Sequence, residues 1–432
     1  MEVWALVMFA VLFIFLLAGF PVAFTLGAVA LAFGSLFLGL DFFNLLPLRI
    51  WGIMTNFTLL AVPLFVFMGV ILEKSGIAEE LLETMGRLFG RVRGGLAISV
   101  VAVGALLAAT TGVVGASVVT MAVIALPAML KHGYAPTLAA GTIAASGTLG
   151  QIIPPSIILI LLGDVIGVPV GQLFIAAAVP GMMLVLAYMA YIGFIAWRHP
   201  ELAPAIKTDP NDGDLLLKVF KSLLPPLALV LAVLGSIFFG VASPTESAAV
   251  GAFGAMVLAL MHGKLNVTNL QQALQQTTRL TSMVFLILIG ATAFGLVFVG
   301  MGGDDLIFDI FNGLPGGKWS FLIISMLLIF ILGFFLDFIE ICFIVVPIIA
   351  PVAIHLGLDP LWFALLIAIN LQTSFLTPPF GFSLFYLKAS APSLELTTIY
   401  RGVIPFIVIQ VVVLAILISF PAVALWLPGF ME

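Results

Sequence analysis

Apolar runs of roughly membrane-crossing length, separated by short polar punctuation, fill most of this chain. They fall at about 3–20, 22–40, 57–72, 96–130, 136–168, 173–197, 222–240, 244–262, 280–300, 319–353, 361–390 and 402–427. A bilayer core takes about 20 helical residues, so most runs predict one crossing each. Four are too long. Run 96–130 has 35 residues and would measure about 52 Å as one straight helix. Each overlong run is interrupted in the middle: at Thr110–Ser117 (TTGVVGAS), Ser146–Ser156 (SGTLGQIIPPS), Gly333–Glu340 (GFFLDFIE) and Asn370–Pro379 (NLQTSFLTPP). Glycine loosens a helix and proline removes a donor, so carbonyls are freed at mid-membrane depth. Such backbone survives only where protein buries it or it lines a cavity. A plain proline kink explains one break, but four breaks in two pairs weigh against it.

Composition agrees with a membrane protein. The chain of 432 residues is 63% hydrophobic and 8% charged, against about 25% charged for a soluble domain. No basic patch suits nucleic acid. The lone Cys342 excludes an intrachain disulfide. The first run has neither a basic lead-in nor a small-residue cleavage site, and is read as a retained helix rather than a signal peptide.

The pairing of breaks is an internal repeat. Pro154-Pro155 and Pro378-Pro379 stand 224 residues apart, and the same shift superposes Pro127 on Pro351, Gly133 on Gly357, Pro136 on Pro360, Ala140 on Ala364 and Ala144 on Ala368. Repeated broken segments point to a transporter binding site. If 96–130 and 319–353 are re-entrant hairpins, and 136–168 and 361–390 broken crossings, 13 of the 15 Lys and Arg share one side, with only Arg49 and Lys318 opposite. By the positive-inside rule that side is cytoplasmic, and the N-terminus is periplasmic. The units 1–197 and 222–432 then have opposite orientation, joined by a cytoplasmic linker at 198–221. The predicted fold class is an all-α polytopic membrane protein of two inverted repeats. Gly76–Arg93 and Asp304–Asn312 read as amphipathic stretches: either solvated loop helices or arms that tie a moving part to a fixed frame.

Three segments carry a family resemblance: Gly141–Ile157 (GTIAASGTLGQIIPPSI), Gly333–Pro351 (GFFLDFIEICFIVVPIIAP) and Asn370–Tyr386 (NLQTSFLTPPFGFSLFY). At these motifs, and across essentially the whole chain, the sequence resembles the large membrane subunit (M subunit) of tripartite ATP-independent periplasmic (TRAP) transporters. The last two look like the branch linked to oxo acids, mannitol-like polyols and aromatic acids. Glu340 departs from dicarboxylate and sialate members, which carry a small or apolar residue there. The resemblance implies a sodium-driven elevator in a bacterial inner membrane. Its partners would be a small four-helix membrane subunit (Q-type) and a periplasmic substrate-binding protein (P-type), its cargo a small organic acid or polyol, and its coupling ion Na+, with no other cofactor.

Sodium takes oxygen ligands, which freed carbonyls and hydroxyls supply. One expected site uses Thr111, Gly112 and Ser117 at the first hairpin tip, with backbone carbonyls of Gly150, Ile153 and Pro155 as similar positions in the family suggest. The pseudo-symmetric site uses Gly333, Asp337, Ser374 and Thr377. Ser117, Thr148, Gln151, Asn370, Gln372 and Thr373 are candidate hydrogen-bonding residues for substrate, whose carboxylate a half-helix N-terminus would attract. Asp337 and Glu340 are intramembrane acids and therefore functional candidates. Cation coordination, proton transfer and a structural hydrogen bond to a freed amide are all open to them. A self-sufficient divalent-anion/sodium symporter is the competing reading. An enzyme is disfavoured by the lack of HExxH or GxSxG. An ATPase is disfavoured because Gly316-Gly317-Lys318 is followed by Trp319. The four histidines fall near predicted run ends.

Overall fold

Alternation of apolar runs with proline and glycine punctuation sets the helix boundaries. A computed structural model describes residues 2–112, 114–206, 215–313 and 315–430. Val113 of the first break and 207–214 of the linker lie outside the described residues. The first unit holds α1 (Glu2–Leu17), α2 (Val22–Phe37), α3 (Leu46–Met54), α4 (Ala61–Lys74), α5 (Ile77–Gly90), α6 (Gly95–Thr111), α7 (Val114–Lys131), α8 (Pro136–Thr148), α9 (Ile157–Ile166) and α10 (Val170–Arg198). The second holds α11 (Leu215–Phe238), α12 (Pro244–Met261), α13 (Val267–Gly300), α14 (Gly303–Asn312), α15 (Lys318–Leu332), α16 (Phe338–Ile344), α17 (Val346–His355), α18 (Pro360–Leu376), α19 (Phe382–Ser390) and α20 (Leu396–Ser419). Pro136, Pro244 and Pro360 stand at the first helical position, where the missing N–H costs nothing. Among the described residues there is no strand, and six helices are long and apolar enough to cross a bilayer.

All four expected breaks are present. The repeat also extends to helix ends: α7 begins 224 residues before α16 and ends 224 before α17, and the same interval separates the starts of α8 and α18 and the ends of α9 and α19. Both Pro-Pro bonds are cis. Several boundaries differ from the sequence reading. Run 319–353 breaks a second time at Val345, bending 54° between α16 and α17. Run 280–300 is the apolar end of a helix that starts at Val267, and the helix opening the second unit starts at Leu215, inside the expected linker. The linker residues before the undescribed part are tied down. Leu202 and Ala203 carbonyls accept from the Ala135 and Gly94 amides at 2.9 and 3.0 Å, and the Ile206 amide donates to Gly90 at 2.6 Å.

Both hairpins close on themselves. At the far end of the first, the Tyr134 hydroxyl, just beyond α7, accepts from the Leu96 amide at the start of α6 (3.2 Å). That satisfies one of the donors a helix start leaves free. In the second, Phe311 of α14 packs on Phe321 of α15, and Phe308 of α14 on His355 at the end of α17. α14 therefore holds both ends of that hairpin. α5 acts similarly on the first: it buries Ile77, Leu81, Leu82 and Met85, and Gly86 lies against Leu96. Glu80 accepts a hydrogen bond from Ser222 of α11. The amphipathic stretches are thus packed arms and not solvated loop helices.

The broken helices form the centre. Every residue of α18 from Trp362 to Leu376 is buried, as is α8 from Leu138 to Thr148. Outer helices expose Phe24, Leu31, Phe220, Leu231, Phe253 and Leu260, as a lipid-facing surface requires. Without a hydrophobic drive between helices in lipid, close packing rests on small residues. Gly141 of α8 and Gly402 of α20 illustrate it: a Cβ on Gly141 would collide with the Gly402 carbonyl, and one on Gly402 with the Thr137 carbonyl. Gly402→Ala should therefore lower the melting temperature of the purified chain, by an overpacking cost of about 1–3 kcal/mol. Gly193→Ala, inside α10 where a Cβ meets nothing within 4 Å, should leave it unchanged or raise it slightly, because alanine is the better helix former.

Candidate functional site

The first tip is made by a glycine. α6 ends at Gly112, whose φ of 59° lies in the left-handed region that glycine enters without Cβ strain. Its amide donates back to Ala108 at 3.1 Å. The reversal brings the Thr111 and Ser117 hydroxyls to 2.7 Å, though six residues separate them. Both are buried. Thr111 also donates to the Leu107 carbonyl at 3.0 Å. The tip fits against the broken helix: a Cβ on Gly112 would lie 3.1 Å from Ile157 at the start of α9, and one on Gly150 3.3 Å from the Ala108 carbonyl. Thr111, Gly112, Ser117 and Gly150 are therefore one cluster. In the break, Ser156 Oγ donates to the Gln151 carbonyl at 2.8 Å. The carbonyls of Ile153 and Pro155 accept no hydrogen bond from any described residue.

The second tip has related parts. Gly333 caps α15 and presses on Ser374 of α18, whose hydroxyl a Cβ there would strike. Ser374 Oγ donates to Leu371 (2.8 Å) and Thr377 Oγ1 to Thr373 (2.7 Å). Thr377 leaves the helical conformation (φ −89°, ψ 126°) and ends α18. Asp337 is the N-cap of α16, accepting from the Phe338 amide at 2.7 Å, and Glu340 Oε2 accepts from the Asp337 amide at 3.1 Å. This reciprocal pair is a capping box. Of the roles open to the two acids, the structural hydrogen bond is the one the geometry shows for both.

The candidate substrate residues separate into two groups. Thr148 and Thr373 donate to carbonyls of their own helices (2.8 Å each), and Asn370 donates to the Met326 carbonyl of α15 at 2.7 Å. Gln151 and Gln372 are fully buried with both amide atoms unpartnered. A buried unpartnered amide is costly and marks a place where a ligand or water belongs. Gln372 faces the Tyr188 hydroxyl, short of hydrogen-bond geometry, while Gln410 of α20 donates to that hydroxyl at 2.8 Å. Tyr188 and Gln410 were not anticipated, although a lone glutamine in the apolar run 402–427 is a visible signal. Glu73 of α4, which accepts from Thr120 of α7 at 3.0 Å, and Tyr386 of α19, whose ring lies over Gly115, also escaped the sequence reading.

Residues 9–423 match the family model described as tripartite ATP-independent periplasmic transporter, DctM component. The chain belongs to this family. It is 31% identical to the C4-dicarboxylate TRAP transporter large permease protein DctM of Pseudomonas aeruginosa, over 89% of this chain and 90% of that protein. It is also 31% identical to the sialic acid TRAP transporter large permease protein SiaM of Vibrio cholerae, over 96% of each. Among solved structures it shares a fold with the Alcanivorax borkumensis YdaH transporter: the TM-score is 0.62 at 15% identity, covering 94% of this chain and 97% of that one. The chain is thus a multi-pass membrane permease of the TRAP type, with relatives that carry different substrates.

The capping box makes the structural role of Glu340 testable. A glutamine keeps an oxygen at the same position, so Glu340→Gln should hold the wild-type melting temperature. Glu340→Ala should lose about 0.5–2 kcal/mol of stability, measured by thermal unfolding in detergent.

Proposed function

We propose that this chain is the translocating subunit of a sodium-driven importer of a small organic acid in a bacterial inner membrane, with its N-terminus in the periplasm. A periplasmic binding protein delivers the substrate, and a small four-helix membrane subunit completes the assembly. The observation that carries the reading is the paired arrangement of oxygen-rich tips: Thr111 and Ser117 against Gly150 in one repeat, and Gly333 against Ser374 in the other.

In this reading sodium lies at each tip among hydroxyls and the carbonyls freed by the breaks, Ile153 and Pro155 included. No dedicated carboxylate cage is required, because a monovalent ion is held by several neutral oxygens. The substrate lies between the tips. Its carboxylate faces the N-terminus of α9, where free amides and the helix dipole favour an anion, and Gln151 supplies a buried amide. Hairpins and broken helices move together as the transport domain, while outer helices form the frame and the arms α5 and α14 link the two. The substrate is an oxo acid, a related carboxylate or a polyol, as the motifs around Gly333–Pro351 and Asn370–Tyr386 suggest.

Uptake of a labelled oxo acid into proteoliposomes tests this, with this chain, its small neighbour and the binding protein present under an inward sodium gradient. Uptake should need all three proteins and vanish when choline replaces sodium. Ser117→Ala and Ser374→Ala should each raise the half-saturating sodium concentration about tenfold, the loss of one ligand to a charged partner. Uptake by this chain alone would sink the tripartite reading.

A further inference from the structure

One acidic residue lines a cavity beside the first tip from outside the repeat core. Gly69 of α4 packs on the backbone of the tip: a Cβ there would lie 2.5 Å from the Thr110 carbonyl and from Thr111 Cα. Four residues later, on the same helical face, is Glu73. Its carboxylate accepts a hydrogen bond from Thr120 of α7 at 3.0 Å. Glu73, Thr111, Ala116 and Gln276 of α13 line a small cavity of about 10 Å³, closed on its apolar side by Val70 and Leu280. α4 and α13 are fastened together beside it, since Lys74 Nζ donates to Gln272 at 2.9 Å.

We propose that Glu73 forms an outer sodium position, through which the ion bound at the first tip passes as it leaves. The inference rests on the sodium reading given above. The cavity has the room of about one water-sized particle, and its lining includes oxygen-bearing residues from three helices: Glu73, Thr111 and Gln276. Its lining carries one negative side chain and no positive one. Thr111 belongs to both places, since its hydroxyl pairs with Ser117 at the tip and the residue lines the cavity. A sodium ion can therefore change from neutral ligands to a carboxylate without losing Thr111. In a low-dielectric surrounding one carboxylate within a few ångströms attracts a cation strongly, which makes the outer position the more favourable one once the tip is loosened. Gly69 is what allows α4 to approach closely enough for this.

Equilibrium binding of ²²Na+ to the full-length chain in nanodiscs, against a choline background, decides the matter. Wild type should show an outer component besides those of the two tips, and Glu73→Gln should weaken that one about tenfold, which is about 1.4 kcal/mol. Ser117→Ala should weaken the component of the first tip. Glu73→Asp, which keeps the charge but draws it back, should shift the outer component less, and it stands in if Glu73→Gln fails to fold as judged by melting in choline. A Glu73→Gln or Glu73→Asp curve that superposes on wild type while Ser117→Ala loses binding would overturn the outer position and leave the tip site standing. No sodium binding by wild type would overturn both.

Discussion

In a bilayer, every backbone amide and carbonyl has to find a partner within the protein. The breaks in this chain are possible only because of where they lie. α8 and α18 are buried along nearly their whole length, so their frayed ends open onto protein and not onto lipid. Some of the freed groups are taken locally: Ser156 serves the Gln151 carbonyl, Ser383 the Phe375 carbonyl and Tyr400 the Pro379 carbonyl. What is left over, chiefly around Ile153 and Pro155, is the stock of oxygen from which an ion site can be assembled. On the proposed sodium reading, binding capacity is the remainder of an incompletely satisfied backbone.

The approach of helices follows the same constraint. Small residues recur wherever a tip or a broken helix meets its neighbour: Gly104 against Ser146, Gly147 against Val118, Gly141 against Gly402, Gly69 against Thr110 and Thr111. None of these contacts gains much from the hydrophobic effect, because lipid tails are as apolar as leucine. They gain from proximity, which brings backbone dipoles and short hydroxyl side chains within reach of one another. The arms solve a different problem. With the apolar faces of α5 and α14 laid on the hairpin bases and polar residues outward, they cover helix ends that would otherwise meet water or headgroups.

Much of this was legible in the sequence because the signals were chemical and periodic. Overlong apolar runs, Pro-Pro pairs and glycines at a constant interval placed the breaks, and the repeat predicted from a few prolines holds for whole helix ends. The family was legible at the three long motifs. Pairings across the fold were not. Nothing in the run 402–427 says that Gln410 meets Tyr188, since that contact joins helices 222 residues apart. The second bend at Val345 has no proline at the break itself; Pro347, two residues on, and packing against α9 and α13 place it. Helical residues 267–279 are too polar to read as a crossing, yet they extend α13 because Asn266 caps it, accepting from the Asn269 amide at 2.8 Å.

The short non-helical stretch after α10 has a bearing on how the polypeptide can be handled. Between Leu202 and Ile206 it is bonded to Ala135, Gly94 and Gly90, the loop before the broken helix, the start of the hairpin and the end of the arm. It is therefore an integral strap of the first unit rather than a tether between units. A split version of the gene, or an inserted fluorescent domain, has to keep Ile206 with the upstream fragment. A junction placed at Arg198, where the polar composition begins, would remove three backbone hydrogen bonds from the unit it was meant to leave intact.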